Sequence, residues 1–262
     1  MASSLALTVA SQALAVAGPP TVYAALGDSY SSGQGSGNAI ASSGSCNRTG
    51  AAYPLVWSPS VKPAAFVACA DATIQSVQAN QLAALNDETT LVTLTAGGND
   101  LAWTGTLKTC ATGGDSTCAS SSRALLNVIT SNLPARLDGL YKLIKTRAPH
   151  AKIIVLGYPR LFETGWWCGV TGLIYSSTER KLLNSVADSL DATIQARARA
   201  AGLIFVDVRS RFAGHGICSR SPYINDFLSL STTGWFHPNS SGQAAYAGAL
   251  RAAAPAGGSQ PS

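Results

Sequence analysis

The sequence predicts an α/β fold in which a parallel β-sheet is covered by helices on both faces. Three observations predict it. Five short apolar runs occur, at 21–26, 64–68, 90–95, 152–156 and 203–206. Their apolar character is continuous rather than strictly alternating, with threonines in the third and Lys152 opening the fourth, the pattern of strands buried on both faces. Stretches with helical spacing lie between the later runs. The chain has 262 residues, of which 46% are hydrophobic and 12% charged. That is a globular composition, suited to one α/β domain, although two small domains also fit. A chain of this length can bury about 70–75% of the surface its unfolded form exposes.

The elements follow in order. Residues 1–20 are apolar, with Ala15-Val-Ala-Gly near their end, and resemble the apolar region and small-residue cleavage site of a secretory signal. No Lys or Arg precedes Arg48, so the basic start of such a signal is missing, and the segment reads as a signal remnant or a disordered terminus. The domain proper is expected over 21–254, with a frayed tail at 255–262. The first run ends at Gly27, the third is followed by Gly97-Gly98, the fourth by Gly157 and the fifth by Asp207. Between them, 122–147 places Leu125, Val128, Ile129, Leu133, Leu137, Leu140 and Ile144 near helical spacing, with Pro134 expected to kink or break it. Residues 176–201 open with Ser176-Ser-Thr-Glu179, a capping-box pattern. A last helix is expected from Asn239 to Ala253, stopped by Pro255. The segments 30–63 and 102–121 are rich in Gly and Ser and read as long irregular loops.

Charge and cysteine content exclude several classes. The net charge is +5, but the basic residues are scattered and form no nucleic-acid-binding run. The positive balance is compatible with an anionic lipid surface. The six cysteines, Cys46, Cys69, Cys110, Cys118, Cys168 and Cys218, contain no C-x-x-C pair, which speaks against zinc ribbons and thioredoxin-like chemistry. Their even number suits disulfides in an oxidising compartment, and spacing leaves all 15 pairings open. No metal-ligand pattern such as H-E-x-x-H occurs, so no cofactor is expected.

Three segments carry chemistry. Ser29 follows the first run in Gly27-Asp-Ser-Tyr, on a sharp turn at the C-terminal edge of the sheet, where a hydroxyl can face a cleft. The alternative for an Asp-Ser pair is a helix cap. Asn99 follows the third run in Gly97-Gly-Asn-Asp and can donate its amide to a developing oxyanion, although Asn is also an ordinary turn residue. His237 stands before Pro238, which holds it extended just ahead of the last helix, and a neutral imidazole there can take and return a proton. The alternative is a structural histidine.

Together, Gly27-Asp28-Ser29-Tyr30, Gly97-Gly98-Asn99-Asp100 and His237-Pro238-Asn239 resemble the blocks of the SGNH/GDSL hydrolases, in the same order and over the chain from Tyr23 to Ala252. Within that family the chain resembles the actinomycete extracellular lipases, esterases and phospholipases with three disulfides. The resemblance implies a three-layer α/β/α sandwich with a five-stranded parallel sheet (flavodoxin-like), and disulfides in chain order: Cys46–Cys69, Cys110–Cys118 and Cys168–Cys218. It implies Ser29 as nucleophile and His237 as base, with an oxyanion hole from the Ser29 N–H, the Asn99 amide and the N–H of residue 71. The family has glycine at that last position, and this chain has Asp71. A carboxylate there would oppose a forming oxyanion, so altered or reduced turnover is expected. Many members carry an acid three residues before the histidine, where this chain has Gly234. The lipase group instead uses a main-chain carbonyl, which maps to Trp235. Asp28 and Asp100 read as turn braces, and Asp207 is a weaker candidate to support His237.

The expected activity is therefore hydrolysis of lipid or small carboxylic esters by a secreted, monomeric enzyme that transiently contacts lipid surfaces. A carbohydrate acetylesterase and a non-catalytic binding module on the same scaffold are the alternatives. Trp57, Trp103, Phe162, Trp166, Trp167 and Trp235 are candidates to line an acyl groove, against ordinary core packing for each one.

Overall fold

The computed structural model describes residues 21–165, 168–227 and 234–254. The expectations for 1–20, Trp166, Trp167 and 255–262 lie outside these. Five parallel strands form one sheet: β1 (Tyr23–Gly27), β2 (Ala65–Phe66), β3 (Leu91–Thr95), β4 (Lys152–Leu156) and β5 (Ile204–Val206), in the order β2-β1-β3-β4-β5. All five occupy the apolar runs of the sequence. β1 and β3 pair over their whole length, from Tyr23 opposite Leu91 to Gly27 opposite Thr95.

Alternation along the strands divides the core between the two faces. Ala24 and Leu26 of β1, Val92 and Leu94 of β3, and Ile153 and Val155 of β4 pack on one side. There they meet α3 (Ile74–Asn80), α5 (Leu133–Arg147) and one side of α7 (Ser177–Ala200). Tyr23 and Ala25, with Ile154 and Leu156, face the other side, against Tyr53 and Trp57 at α2 (Tyr53–Val56) and Tyr246 and Leu250 of α9 (Ser240–Ala253). This is the expected three-layer sandwich.

Helix boundaries follow local chemistry. Asp28 caps α1 (Ser29–Ser32) by accepting from Tyr30 N–H. Pro134 sits in the first turn of α5, where its missing N–H costs nothing, so the predicted helix divides at Asn132. Ser176 and Glu179 form the predicted capping box of α7. Asn239 caps α9 through Gly242 N–H.

The expectation of an irregular loop over 102–121 is corrected. These residues belong to α4 (Trp103–Ser131), two helical segments that reverse direction at Gly114, whose φ is +72°. The Cys110–Cys118 disulfide and a 2.9 Å bond between the Thr106 and Ser121 hydroxyls tie the segments together. Glycine and serine content hid a helix that tertiary packing and a staple enforce. The other disulfides join Cys46 to Cys69 and Cys168 to Cys218. Residues 30–63 hold only short helical turns, including α1 and α2.

Candidate active site

The strand order reverses between β1 and β3, and side chains at the C-terminal ends of these neighbours open into a common crevice. The turn after β1 is built around Gly27. Its φ is +125°, and a Cβ there would lie 2.4 Å from Thr95 O, so only glycine fits. Gln81 clamps both polar groups of this peptide, accepting from Gly27 N (2.7 Å) and donating to Gly27 O (2.9 Å). The chain is thereby turned so that Ser29, first residue of α1, faces the crevice.

His237 reaches the same point from the other end of the chain. Its Nε2 lies 2.8 Å from Ser29 Oγ, and its Nδ1 lies 2.7 Å from the Trp235 carbonyl oxygen. The loop carrying it is pinned by backbone pairing with Asn225, and Asn225 Nδ2 donates to Gly35 O at 3.0 Å. Tyr30 Oη donates to Phe236 O at 2.8 Å, joining the serine helix to the histidine loop. Burial holds the His237 pKa below its ordinary value, while the Trp235 carbonyl and the Asp71 charge pull it upward. The imidazole is thus held toward its neutral form, able to accept a proton.

Asn99 and Asp71 complete the ring of sequence-predicted residues around a cavity of about 410 Å³. Asn99 Nδ2 donates to Ala72 O at 3.1 Å, which orients the amide. Asp71 has φ +59°, a left-handed conformation that Asp tolerates better than most residues. Among the described residues, no backbone carbonyl accepts from the N–H groups of Ser29 or Asp71.

The other sequence candidates divide. Asp28 is buried beside Ser29 and accepts from Tyr30 N (3.0 Å), Thr95 Oγ1 (2.8 Å) and Tyr158 Oη (2.5 Å). Burial outweighs these donors and raises its pKa to about 6. Asp100 braces α3, accepting from Ile74 N at 2.9 Å and from Arg136 at 3.0 Å. Asp207 does not support His237. Its carboxylate pairs with Arg209 at 2.6 Å, and the His237 Nδ1 it would have held faces Trp235 O. Of the aromatic candidates, Trp103 and Trp235 line the cavity. Trp57 is buried edge-on to Tyr23, and Phe162 packs against Tyr175 and Phe236, so both are core. Leu107 and Leu161 supply apolar wall that sequence reasoning overlooked.

Sequence reasoning also missed Tyr158. Its hydroxyl donates to Asp28 and accepts from Gly98 N at 3.2 Å, bridging the serine and asparagine loops. Its own N–H donates to Asp191 Oδ1 at 2.7 Å, a fully buried carboxylate whose pKa burial raises to about 7. The only hint was its position just past Gly157, at the end of the fourth apolar run. Among the described residues no cluster of three His, Cys, Asp or Glu side chains could hold a metal ion.

Comparisons with known proteins place the chain in a family. Residues 25–245 match the model of the GDSL-like Lipase/Acylhydrolase family. Lipase 1 of Streptomyces coelicolor is 40% identical over 247 residues, covering 93% of this chain and 90% of that protein. The crystal structure of the extracellular lipase from Streptomyces rimosus superposes with a TM-score of 0.85 at 39% identity, covering 90% of this chain and 100% of the other. Phospholipase A1 from Streptomyces albidoflavus gives the same TM-score of 0.85 at 36% identity, covering 89% and 99%.

Proposed function

The chain belongs to the GDSL-like lipase/acylhydrolase family and is a carboxylic ester hydrolase, and on that premise we propose that it is a secreted enzyme cleaving lipid esters through a Ser29–His237 dyad. The observation that carries this reading is the contact of Ser29 Oγ with His237 Nε2 at 2.8 Å inside a cavity with an apolar wall.

The Trp235 carbonyl holds the proton of His237 on Nδ1, leaving the Nε2 lone pair toward Ser29. Nε2 takes the serine proton as Oγ attacks the acyl carbonyl carbon. The resulting oxyanion is received by the N–H groups of Ser29 and Asp71 and by the Asn99 amide. The imidazolium then protonates the leaving alcohol, and the acyl group stays on Ser29. Water, deprotonated by the same nitrogen, attacks the acyl-enzyme, and the tetrahedral intermediate collapses to release the acid and restore the serine proton. A carbonyl orients the ring but stabilises imidazolium less than a carboxylate would.

Trp103, Leu107 and Leu161 offer the acyl chain a surface that short acetyl groups would not use, which favours lipid over carbohydrate acetyl esters. Three disulfides support secretion into an oxidising compartment. Exposed Leu173 and Val170, near Cys168, support transient contact with lipid surfaces. No helix among the described residues is long and apolar enough to cross a membrane.

The test is labelling with a fluorophosphonate, followed by a series of nitrophenyl esters of increasing chain length. Ser29 in the parent should be labelled, Ser29→Ala should not, and turnover should rise from acetyl to medium-length chains. Equal labelling of Ser29→Ala, or a preference for acetyl, would refute the dyad or the lipid assignment respectively.

A further inference from the structure

The cavity around Ser29 carries the opposite charge to the chain as a whole. The net charge of the protein is +5, yet the charged residues lining the cavity are Asp28 and Asp71, with no lysine or arginine. Asp28 lies beneath the site, and its carboxylate is answered by three donors. Asp71 differs. It is exposed, and among the described residues no cation pairs with it and no donor bonds its carboxylate. Arg48, which lines an adjoining depression with Asp71, is turned to Ala68 O at 3.3 Å and lies over the Phe66 ring at 5.8 Å.

The loop bearing Asp71 is held in place. The Cys46–Cys69 disulfide and the Ala70 N–H bond to Cys46 O at 3.0 Å anchor it, and they bring Asn47 to the same wall. The cavity therefore has a polar wall at Asn47 and Asp71 and an apolar wall at Trp103, Leu107 and Leu161. Asp71 and His237 line the same cavity, so the carboxylate stands on the wall of the space where the substrate reacts. A carboxylate on the wall of a cleft with no opposing cation favours cations there and disfavours anions.

We propose that Asp71 is a specificity residue that selects esters whose alcohol portion is cationic, an ammonium or alkylammonium alcohol, with the acyl portion on the apolar wall. This rests on the hydrolase reading above and names the substrate class of the same site. A contact between an exposed carboxylate and an ammonium group favours the charged substrate by about three- to fivefold, and salt screens it.

The experiment compares butyrylcholine with 3,3-dimethylbutyl butyrate, which has the same shape with carbon in place of nitrogen. kcat/KM is measured for both in the parent, Asp71→Asn and Asp71→Gly. Both replacements tolerate the left-handed backbone and keep the N–H. The parent should favour the choline ester by about three- to fivefold at low salt, with less preference at high salt. The preference should disappear in both variants. Equal rates on the two esters in the parent, or a preference unchanged by both substitutions, overturns the role of Asp71 while Ser29-dependent hydrolysis of the neutral ester leaves the hydrolase reading intact. If the parent hydrolyses neither ester, the hydrolase reading fails as well.

Discussion

Replacing Asp28 by Asn should change how the stability of this enzyme depends on pH. In the folded protein its carboxyl titrates at about 6, against an ordinary 3.8, because burial outweighs the donors from Tyr158, Thr95 and the backbone. A carboxyl with a raised folded pKa keeps its proton longer in the folded state than in the unfolded one. Stability is then highest below the unfolded value and falls as pH rises through the window from about 4 to about 6. The shift is about two units, each worth 1.36 kcal/mol, so ionising Asp28 lowers stability by about 3 kcal/mol. The Asn variant lacks this ionisation. Its unfolding free energy, measured by urea titration at several pH values between about 4 and 7, should lose about 3 kcal/mol less than the parent's over that range. In thermal melts the same difference is roughly 6–12 °C for a domain of this size. Asp191, His237 and the surface groups titrate in both proteins and cancel in the difference. Parallel stability curves for parent and variant would refute the argument, since they would mean that Asp28 titrates alike in the folded and unfolded chain.

Three further outcomes are expected. Burial lowers the His237 pKa, so the base stays neutral to lower pH than usual and the acid limb of kcat/KM should lie below 6.5. Asp71→Asn removes a charge that raises that pKa and should move the limb lower still, and a limb above 6.5 in the parent would contradict the reading. Asn99→Ala should lower kcat by about 10²–10³-fold with little change in KM, as loss of one oxyanion donor does; an unchanged kcat on a nitrophenyl ester would remove Asn99 from that role.

The strands were legible because each lies in a short, mostly apolar run; β1 and β3 are buried throughout and β4 past Lys152, while the edge strands β2 and β5 are only partly buried. The helix over 102–121 was not, because Gly105, Gly113, Gly114 and many Ser and Thr residues depress its local signal. Yet Cys118, Ser122, Leu125 and Ile129, all buried, extend one helical stripe back past the expected start at 122. Ser29, Asn99 and His237 were legible because each sits in a constrained segment at a strand end or helix start. Gln81 and Tyr158 were not. Gln81 acts on Gly27 from 54 positions away, and Tyr158 reaches Asp28 across 130. Nothing in their local sequence announces partners that only the sheet topology brings near.

The acceptor facing His237 Nδ1 is a peptide oxygen, and such an atom has no codon of its own. Any amino acid at position 235 supplies it, provided the main chain keeps its path. The indole there is 39% exposed on the cavity rim and is not the atom that faces the imidazole. Position 235 is therefore a place to reshape the entrance by varying the side chain, since the acceptor facing the imidazole belongs to the main chain.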